Sequence, residues 1–279
     1  MKNKLFLIPI IIFSLLFIIL PILYVIGMSF MEKDELWGVK YIFTLENYKQ
    51  IFSPVYLNTF LNSLQMALVT TFITALVGYP FGVIMSRSSK RTQNFIMLLL
   101  IIPFWTNSLV RIYGWIVILK AGGVLSNLLL WLNIIDEPLQ ILYTFPAVII
   151  GMVYALLPFM ILAVYSSCLK LDYRLNDAAR DLGAGKIRSF LDITLPLTLP
   201  GLLSGITLVF VPSIGLFFIS DLLGGGKIML LGNVIENQLT SSRNMPFGAA
   251  LSVVMIIMTF IILGLYKKLS GTSDLEGLI

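Results

Sequence analysis

Few side chains in this chain are equipped for covalent or metal chemistry. Histidine is absent and cysteine occurs once, as Cys168, so neither a histidine-based metal or acid–base site nor a disulfide framework can be assembled. No metal or cofactor site is therefore expected. The run Gly224-Gly225-Gly226-Lys227 resembles part of a phosphate-binding loop, but that motif requires glycine at position 221 and serine or threonine at 228, where this chain has Asp221 and Ile228. A nucleotide site is not expected either. Arg111 is the one charge inside an otherwise apolar stretch, and no carboxylates cluster in such stretches, which argues against a membrane enzyme. What remains is chemistry without bond making: recognition, docking and passage.

The elements that must position these residues follow from composition. Of 279 residues, 58% are hydrophobic and 12% charged, the balance of a chain that lives in a bilayer. A helix needs about 20 mostly apolar residues to cross a hydrocarbon core ~30 Å thick. Six stretches qualify, from Leu5 to Phe30, Leu57 to Met85, Phe95 to Leu119, Ile141 to Tyr165, Leu199 to Ile219 and Phe247 to Tyr266. The first follows Lys2 and Lys4 but is too long for a secretory signal and lacks a small-x-small cleavage site, so it reads as an uncleaved anchor. Val124 to Ile135 is also apolar but would reach only ~18 Å as a helix. It reads as an interfacial or re-entrant helix. The fold expected is an all-α polytopic membrane protein.

Orientation follows from the basic residues. With the N-terminus inside, the inner segments hold Lys2, Lys4, Arg87, Lys90, Arg91, Lys170, Arg174, Arg180, Lys186, Arg188, Lys267 and Lys268, against Lys33, Lys40, Lys49, Lys120, Lys227 and Arg243 outside. Both termini are expected in the cytoplasm. The net charge of +5 is then topological and no nucleic-acid footprint, so membrane lipid is the expected surrounding.

The longest inner stretch, Cys168 to Pro200, carries a distinctive pattern. Leu175, Ala178, Ala179 and Leu182 recur at helical spacing, with Asp172 placed to cap the helix and Gly183 to end it. Ile187, Phe190, Leu191 and Thr194 predict a second amphipathic run on one face, closed by Pro196. A short helix, a glycine turn and another short helix form either a plug for a groove on a soluble partner or a helix lying on the inner leaflet.

These residues resemble a known family. Asp177-Ala178-Ala179-Arg180-Asp181-Leu182-Gly183-Ala184, followed by Ile193-Thr194-Leu195-Pro196, is similar to the EAA loop of type I ABC importer permeases, with Asp177 in place of the usual glutamate. The glycine stands six residues after the acidic position, as in that family. The resemblance implies the type I permease fold with six transmembrane helices. It divides the chain into an N-terminal helix and outer loop (residues 1–56), a five-helix transmembrane domain (57–266) containing the loop at 172–196, and a cytoplasmic tail (267–279). It also implies that the loop docks on a separate ABC ATPase dimer, with Ala178, Ala179 and Leu182 inserted, Asp177 as a polar anchor, Gly183 as the bend and Ala184 beyond it.

A wider likeness covers most of the chain. Pro103 to Arg111, Tyr154 to Phe159, Asp221 to Gly225, Leu231 to Asn233 and Pro246 to Ala250 resemble the spermidine/putrescine permease subunits. That resemblance implies a polycationic solute, a second permease subunit and an extracytoplasmic polyamine-binding protein. A polycation needs carboxylates for its ammonium groups and aromatic faces for its charge and methylenes. Asp221, Glu236, Asn233, Trp105 and Tyr113 are the candidates for its path. Arg111 lies ~24 Å along an outward-running helix and either snorkels to the outer interface or pairs with Asp221. Pro103, Pro158, Pro200 and Pro212 mark either kinks beside a central path or packing features. A secondary transporter would instead show paired intramembrane ionisable groups and an internal repeat, and neither is visible.

Overall fold

The computed structural model describes residues 4–34 and 38–270. Of the tail expected at 267–279, residues 271–279 lie outside this range. Fourteen helices follow one another: α1 (Lys4–Ser14), α2 (Leu20–Ser29), α3 (Glu46–Ile51), α4 (Pro54–Arg87), α5 (Lys90–Ile101), α6 (Ser108–Leu119), α7 (Val124–Trp131), α8 (Phe145–Cys168), α9 (Arg174–Asp181), α10 (Lys186–Ser189), α11 (Leu195–Gly215), α12 (Phe217–Gly224), α13 (Leu231–Thr240) and α14 (Met245–Ser270). Two short strands, β1 (Met31–Lys33) and β2 (Val39–Phe43), pair antiparallel in the first outer loop, a ribbon that hydropathy did not foresee. Among the described residues, six helical stretches are long and apolar enough to cross a membrane, the number expected.

The chain divides into two compact units, Met1–Leu61 with Leu231–Ile262 and Asn62–Leu230 with Leu263–Ile279. In the first, α1 and α2 run on through a π turn at Leu15–Ile19, and the Leu20 N–H bonds back to the Leu15 carbonyl. Pro21 follows directly. A wider turn keeps the proline ring clear of the carbonyl it would otherwise strike. At the end of α2, the Asn47 amide donates to the carbonyls of Ser29 (3.0 Å) and Met31 (2.9 Å), which ties α3 to the start of the ribbon.

In the second unit α8 is the central stave. Its residues enter each of three hydrophobic clusters: Ala147, Val148 and Met152 with Ile112 and Ile219; Leu156, Met160 and Val164 with Tyr79 and Val209; Ile161 and Tyr165 with Met85. Two neighbours approach it through glycines four residues apart. On α4, a Cβ at Gly78 would stand 2.7 Å from Met160 Cγ and one at Gly82 2.9 Å from Val164 Cγ1. On α11, a Cβ at Gly201 would stand 2.2 Å from Ser167 Cβ and one at Gly205 2.5 Å from Met160 Sδ. Small residues let membrane helices meet closely where lipid supplies no hydrophobic drive for association.

Three span expectations change. The stretch Phe95 to Leu119 is not one helix: α5 ends in a 3₁₀ turn at Ile102–Trp105, Thr106 is extended, and the Asn107 side chain caps α6 through Leu109 N–H at 2.8 Å. Pro103 and the Thr106-Asn107-Ser108 start signal account for the break. The third apolar stretch is Ser108–Trp131, interrupted by the turn between α6 and α7. The fifth begins earlier than Leu199, at Lys186, and ends at Gly215, so Asp221 belongs to the separate helix α12 and does not terminate the span. Pro196 does not close a helix either. A π turn at Phe190–Thr194, with Leu195 N–H bonded to the Phe190 carbonyl, carries α10 straight into α11. The eight-residue α7 lies where a short non-spanning helix was expected.

The glycine contact between α11 and α8 is directly testable. Gly201→Ala should destabilise the detergent-solubilised protein by about 1–3 kcal/mol, the usual cost of overpacking. Adding Ser167→Gly should restore part of the loss in a thermal-unfolding assay. Equal melting of the single and double variants would show that Ser167 is not the obstructing neighbour.

Candidate coupling surface and solute-path residues

The α9 segment is built by its caps. Tyr173 takes the N-cap position expected of Asp172, which stands one residue earlier and supports the helix start by accepting the Arg174 N–H on Oδ1 at 3.0 Å. At the other end Gly183 takes φ +88°, its N–H bonds to the Arg180 carbonyl (2.9 Å), and the Ala184 N–H reaches back to the Ala179 carbonyl (2.9 Å). This paired closure needs a left-handed residue at position 183, which glycine adopts without a Cβ clash.

Beyond the cap, α10 turns back, and a buried side chain holds the two arms together. Asn176 is 5% exposed, and its Oδ1 accepts from Ser189 Oγ (2.9 Å) and Thr194 Oγ1 (3.2 Å). The segment is fastened to the span ends by a polar relay. Tyr173 hydroxyl shares a hydrogen bond with Ser86 Oγ (2.6 Å) at the end of α4, and the Arg87 guanidinium lies 4.6 Å over the Tyr173 ring. Gln93 on α5 donates to the carbonyls of Ser86 and Ser88 and accepts from Tyr165 hydroxyl of α8 at 3.0 Å. Lower in the same wall, Tyr79 hydroxyl meets Thr198 Oγ1 at 2.7 Å and its ring abuts Phe190 edge-on.

This scaffold presents large apolar side chains outward among exposed charges such as Arg180, Asp181 and Arg188. Leu182 is 90% exposed and Ile187 77%, with Leu175 and Leu191 about half exposed. Ala178 is exposed, Ala179 half-buried and Asp177 exposed at the rim of a cavity shared with Arg87 and Arg180. The expected single face of Ile187, Phe190, Leu191 and Thr194 is corrected: Thr194 is buried and Phe190 turns inward, while Ile187 and Leu191 face out. The π turn adds a residue to that turn and rotates everything after it.

The solute-path candidates are placed as follows. Trp105 ends the 3₁₀ turn and is 78% exposed; Tyr113 stands exposed on α6. Asp221 is exposed on α12. Asn233, buried, and Glu236, half-buried, lie one turn apart on α13, where Glu236 Oε1 accepts from Thr240 Oγ1 at 3.1 Å. Arg111 sets its guanidinium 5.2 Å from the Phe104 ring centre and 5.8 Å from that of Tyr154, and its buried Nε has no hydrogen-bond partner among the described residues. The glycine run at 224–226 serves a helix end: Gly225 is left-handed at φ +60°, and a Cβ there would stand 2.4 Å from the Tyr143 ring.

Sequence reading missed the relay of Ser86, Gln93, Tyr165, Tyr173 and Asn176, because isolated polar residues at span ends carry no periodic signal. It also passed over Gly78/Gly82 and Gly201/Gly205, whose four-residue spacing was a usable sign of close helix contact.

Residues 78–271, which include this whole segment, match the family of binding-protein-dependent transport system inner membrane components. The chain belongs to that family. It is 47% identical over 255 residues to the spermidine/putrescine transport system permease protein PotB of Escherichia coli K12, covering 91% of this chain and 93% of that one. Its identity to the PotB protein of Haemophilus influenzae is 44% over 260 residues, covering 92% and 91%. Among solved structures, a bacterial alginate ABC transporter in complex with an alginate pentasaccharide-bound periplasmic protein superposes with a TM-score of 0.74 at 17% identity, over 96% of this chain and 94% of that one. The family and six apolar helices make this a multi-pass protein of the bacterial inner membrane.

If Asn176 is the tie between the two arms, Asn176→Leu strands the Ser189 and Thr194 hydroxyls. Losing such an acceptor costs ~1–3 kcal/mol, so tryptic cleavage at Arg180 and Lys186 should speed up about tenfold while α8 stays protected. Unchanged cleavage kinetics would remove Asn176 from this role.

Proposed function

We propose that this chain is the permease subunit of an ATP-driven importer for polyamines of the spermidine and putrescine class, forming half of a pore completed by a second permease subunit. The observation that carries the reading is the pairing of the Asp177 to Pro196 segment, folded as a capped helix, a left-handed glycine and a second helix, with relatives 44–47% identical that are named for spermidine and putrescine transport. Both termini face the cytoplasm. An extracytoplasmic binding protein delivers the solute, and ATP is hydrolysed on a separate ATPase dimer.

In this scheme Leu182, Ala178 and Ala179 enter a cleft of the ATPase, Asp177 anchors the rim, and Gly183 and Ala184 hold the bend. Ile187 and Leu191 extend the apolar contact. Closure of the ATPase moves the segment as a body, and the relay through Tyr173, Ser86, Gln93 and Tyr165 hands that motion to α4, α5 and α8. The interface thereby biases a pore with two arrangements. Asp221, Glu236 and Asn233 supply oxygen ligands for ammonium groups, and Trp105 and Tyr113 supply faces for the intervening methylenes.

Reconstitution with the cognate ATPase, second permease and binding protein should give ATP-dependent uptake of labelled spermidine. Uptake that persists without the ATPase would refute the scheme. Ala179→Arg and Gly183→Pro should each abolish ATPase co-purification, the first by charge in the inserted face and the second by removing the N–H that bonds Arg180. Normal assembly and transport by both variants would detach coupling from this segment.

A further inference from the structure

Beneath the coupling surface lies a recess whose cations, Arg87, Arg180 and Lys186, the transport scheme does not use. One cavity of about 370 Å³ is lined by Ser86, Arg87, Tyr173, Asn176, Asp177 and Arg180. A second, of about 240 Å³, shares Arg87, Asn176 and Arg180 and adds Lys186, Ser189 and Thr194. Three cations therefore converge on these adjoining spaces against one carboxylate, Asp177. None of the three forms an ion pair among the described residues.

A second observation points the same way. Both oxygen-directed bonds of Asn176 are used by Ser189 and Thr194, yet its Nδ2, fully buried, has no partner among the described residues. A buried amide donor left unsatisfied is costly, and a ligand oxygen is one of the few things that would relieve it. The hydroxyls of Ser86 and Tyr173 already bond each other at this wall, and the Arg87 guanidinium lies 4.6 Å from the Tyr173 ring centre, beside the recess. Planar guanidinium donors, an ammonium and an amide N–H suit an oxyanion with several acceptor oxygens.

We propose that this recess binds a phosphoryl group. Its two sources are the headgroup of an anionic phospholipid, reaching in from the bilayer beside α4, and free phosphate in solution. Basic pockets between membrane helices at one face are a recurring form of headgroup site. Occupancy adds a bridge between the end of α4, through Arg87, and the coupling segment, through Arg180 and Lys186. The bound anion thus stiffens the segment that docks on the ATPase, whichever solute is carried.

The test uses the full-length chain in uncharged detergent, with native mass spectrometry to count and rank bound molecules. Inorganic phosphate, phosphatidylglycerol and phosphatidylcholine are titrated separately. Phosphatidylglycerol or phosphate should bind well above phosphatidylcholine, and retention of only one of the two identifies the source. Each cation removed should weaken binding about fivefold, so Arg87→Gln with Arg180→Gln should lose more than tenfold and the exposed Lys186→Gln somewhat less. Arg91→Gln, which removes a charge outside the recess, should bind as the unaltered chain does. Binding that is the same in the double variant, that falls equally with Arg91→Gln, or that is no tighter for either phosphate or phosphatidylglycerol than for phosphatidylcholine overturns the proposal.

Discussion

The clasp of α8 between two glycine-bearing helices is the constraint on which the larger unit depends. In a bilayer, apolar side chains gain nothing by leaving lipid for one another, so helices hold together through close packing and satisfied polar groups. Gly78 and Gly82 on one side and Gly201 and Gly205 on the other bring backbone against Met160, Val164 and Ser167. All three hydrophobic clusters then form along α8 because its neighbours are already within reach. The prolines within these helices, Pro80, Pro158, Pro200 and Pro212, are tolerated in the same crowded interior.

The same clasp explains how an exposed segment of short helices keeps a defined shape. Neither α9, with eight residues, nor α10, with four, would be stable alone in water. Their order comes from Asn176 between them and from Tyr173, Ser86, Gln93 and Tyr165 beneath, all of which end on helices that the clasp has positioned. The apolar residues that these supports leave uncovered, Leu182 and Ile187 above all, are then presented on a firm base.

Much of this was legible in the residues. Long apolar runs, one of them holding the single charge Arg111, marked six spans, and the Asp172 and Gly183 signals marked both ends of α9, because each reflects a strong local requirement of helices in lipid or at caps. Legibility failed where one local rule met another. Phe95 to Leu119 is apolar but for Arg111 and the Thr106-Asn107-Ser108 run, and Pro103 with the capping Asn107 divides it. Hydropathy registers burial in lipid and is blind to a turn. Ile187 to Thr194 keeps an α-helical spacing on paper, but Ile187 and Leu191 face out while Phe190 and Thr194, in the π turn before Pro196, turn inward. Asn176 sits in a polar run that gives it no signal of its own; its partners Ser189 and Thr194, thirteen and eighteen residues on, make it a buried tie.

The π turn at Phe190–Thr194 has a mechanical side as well. Because it lets the helix run past Pro196 unbroken, Lys186–Gly215 is a single rod of 30 residues, ~45 Å long. The Gly201/Gly205 contact with α8 lies ~22–28 Å from the rod's coupling end and ~15–21 Å from the other. A tilt about that contact sends the two ends in opposite directions, the far end by about two-thirds of the travel at Lys186. A proline that would ordinarily end a helix is thus absorbed into the long arm of a lever.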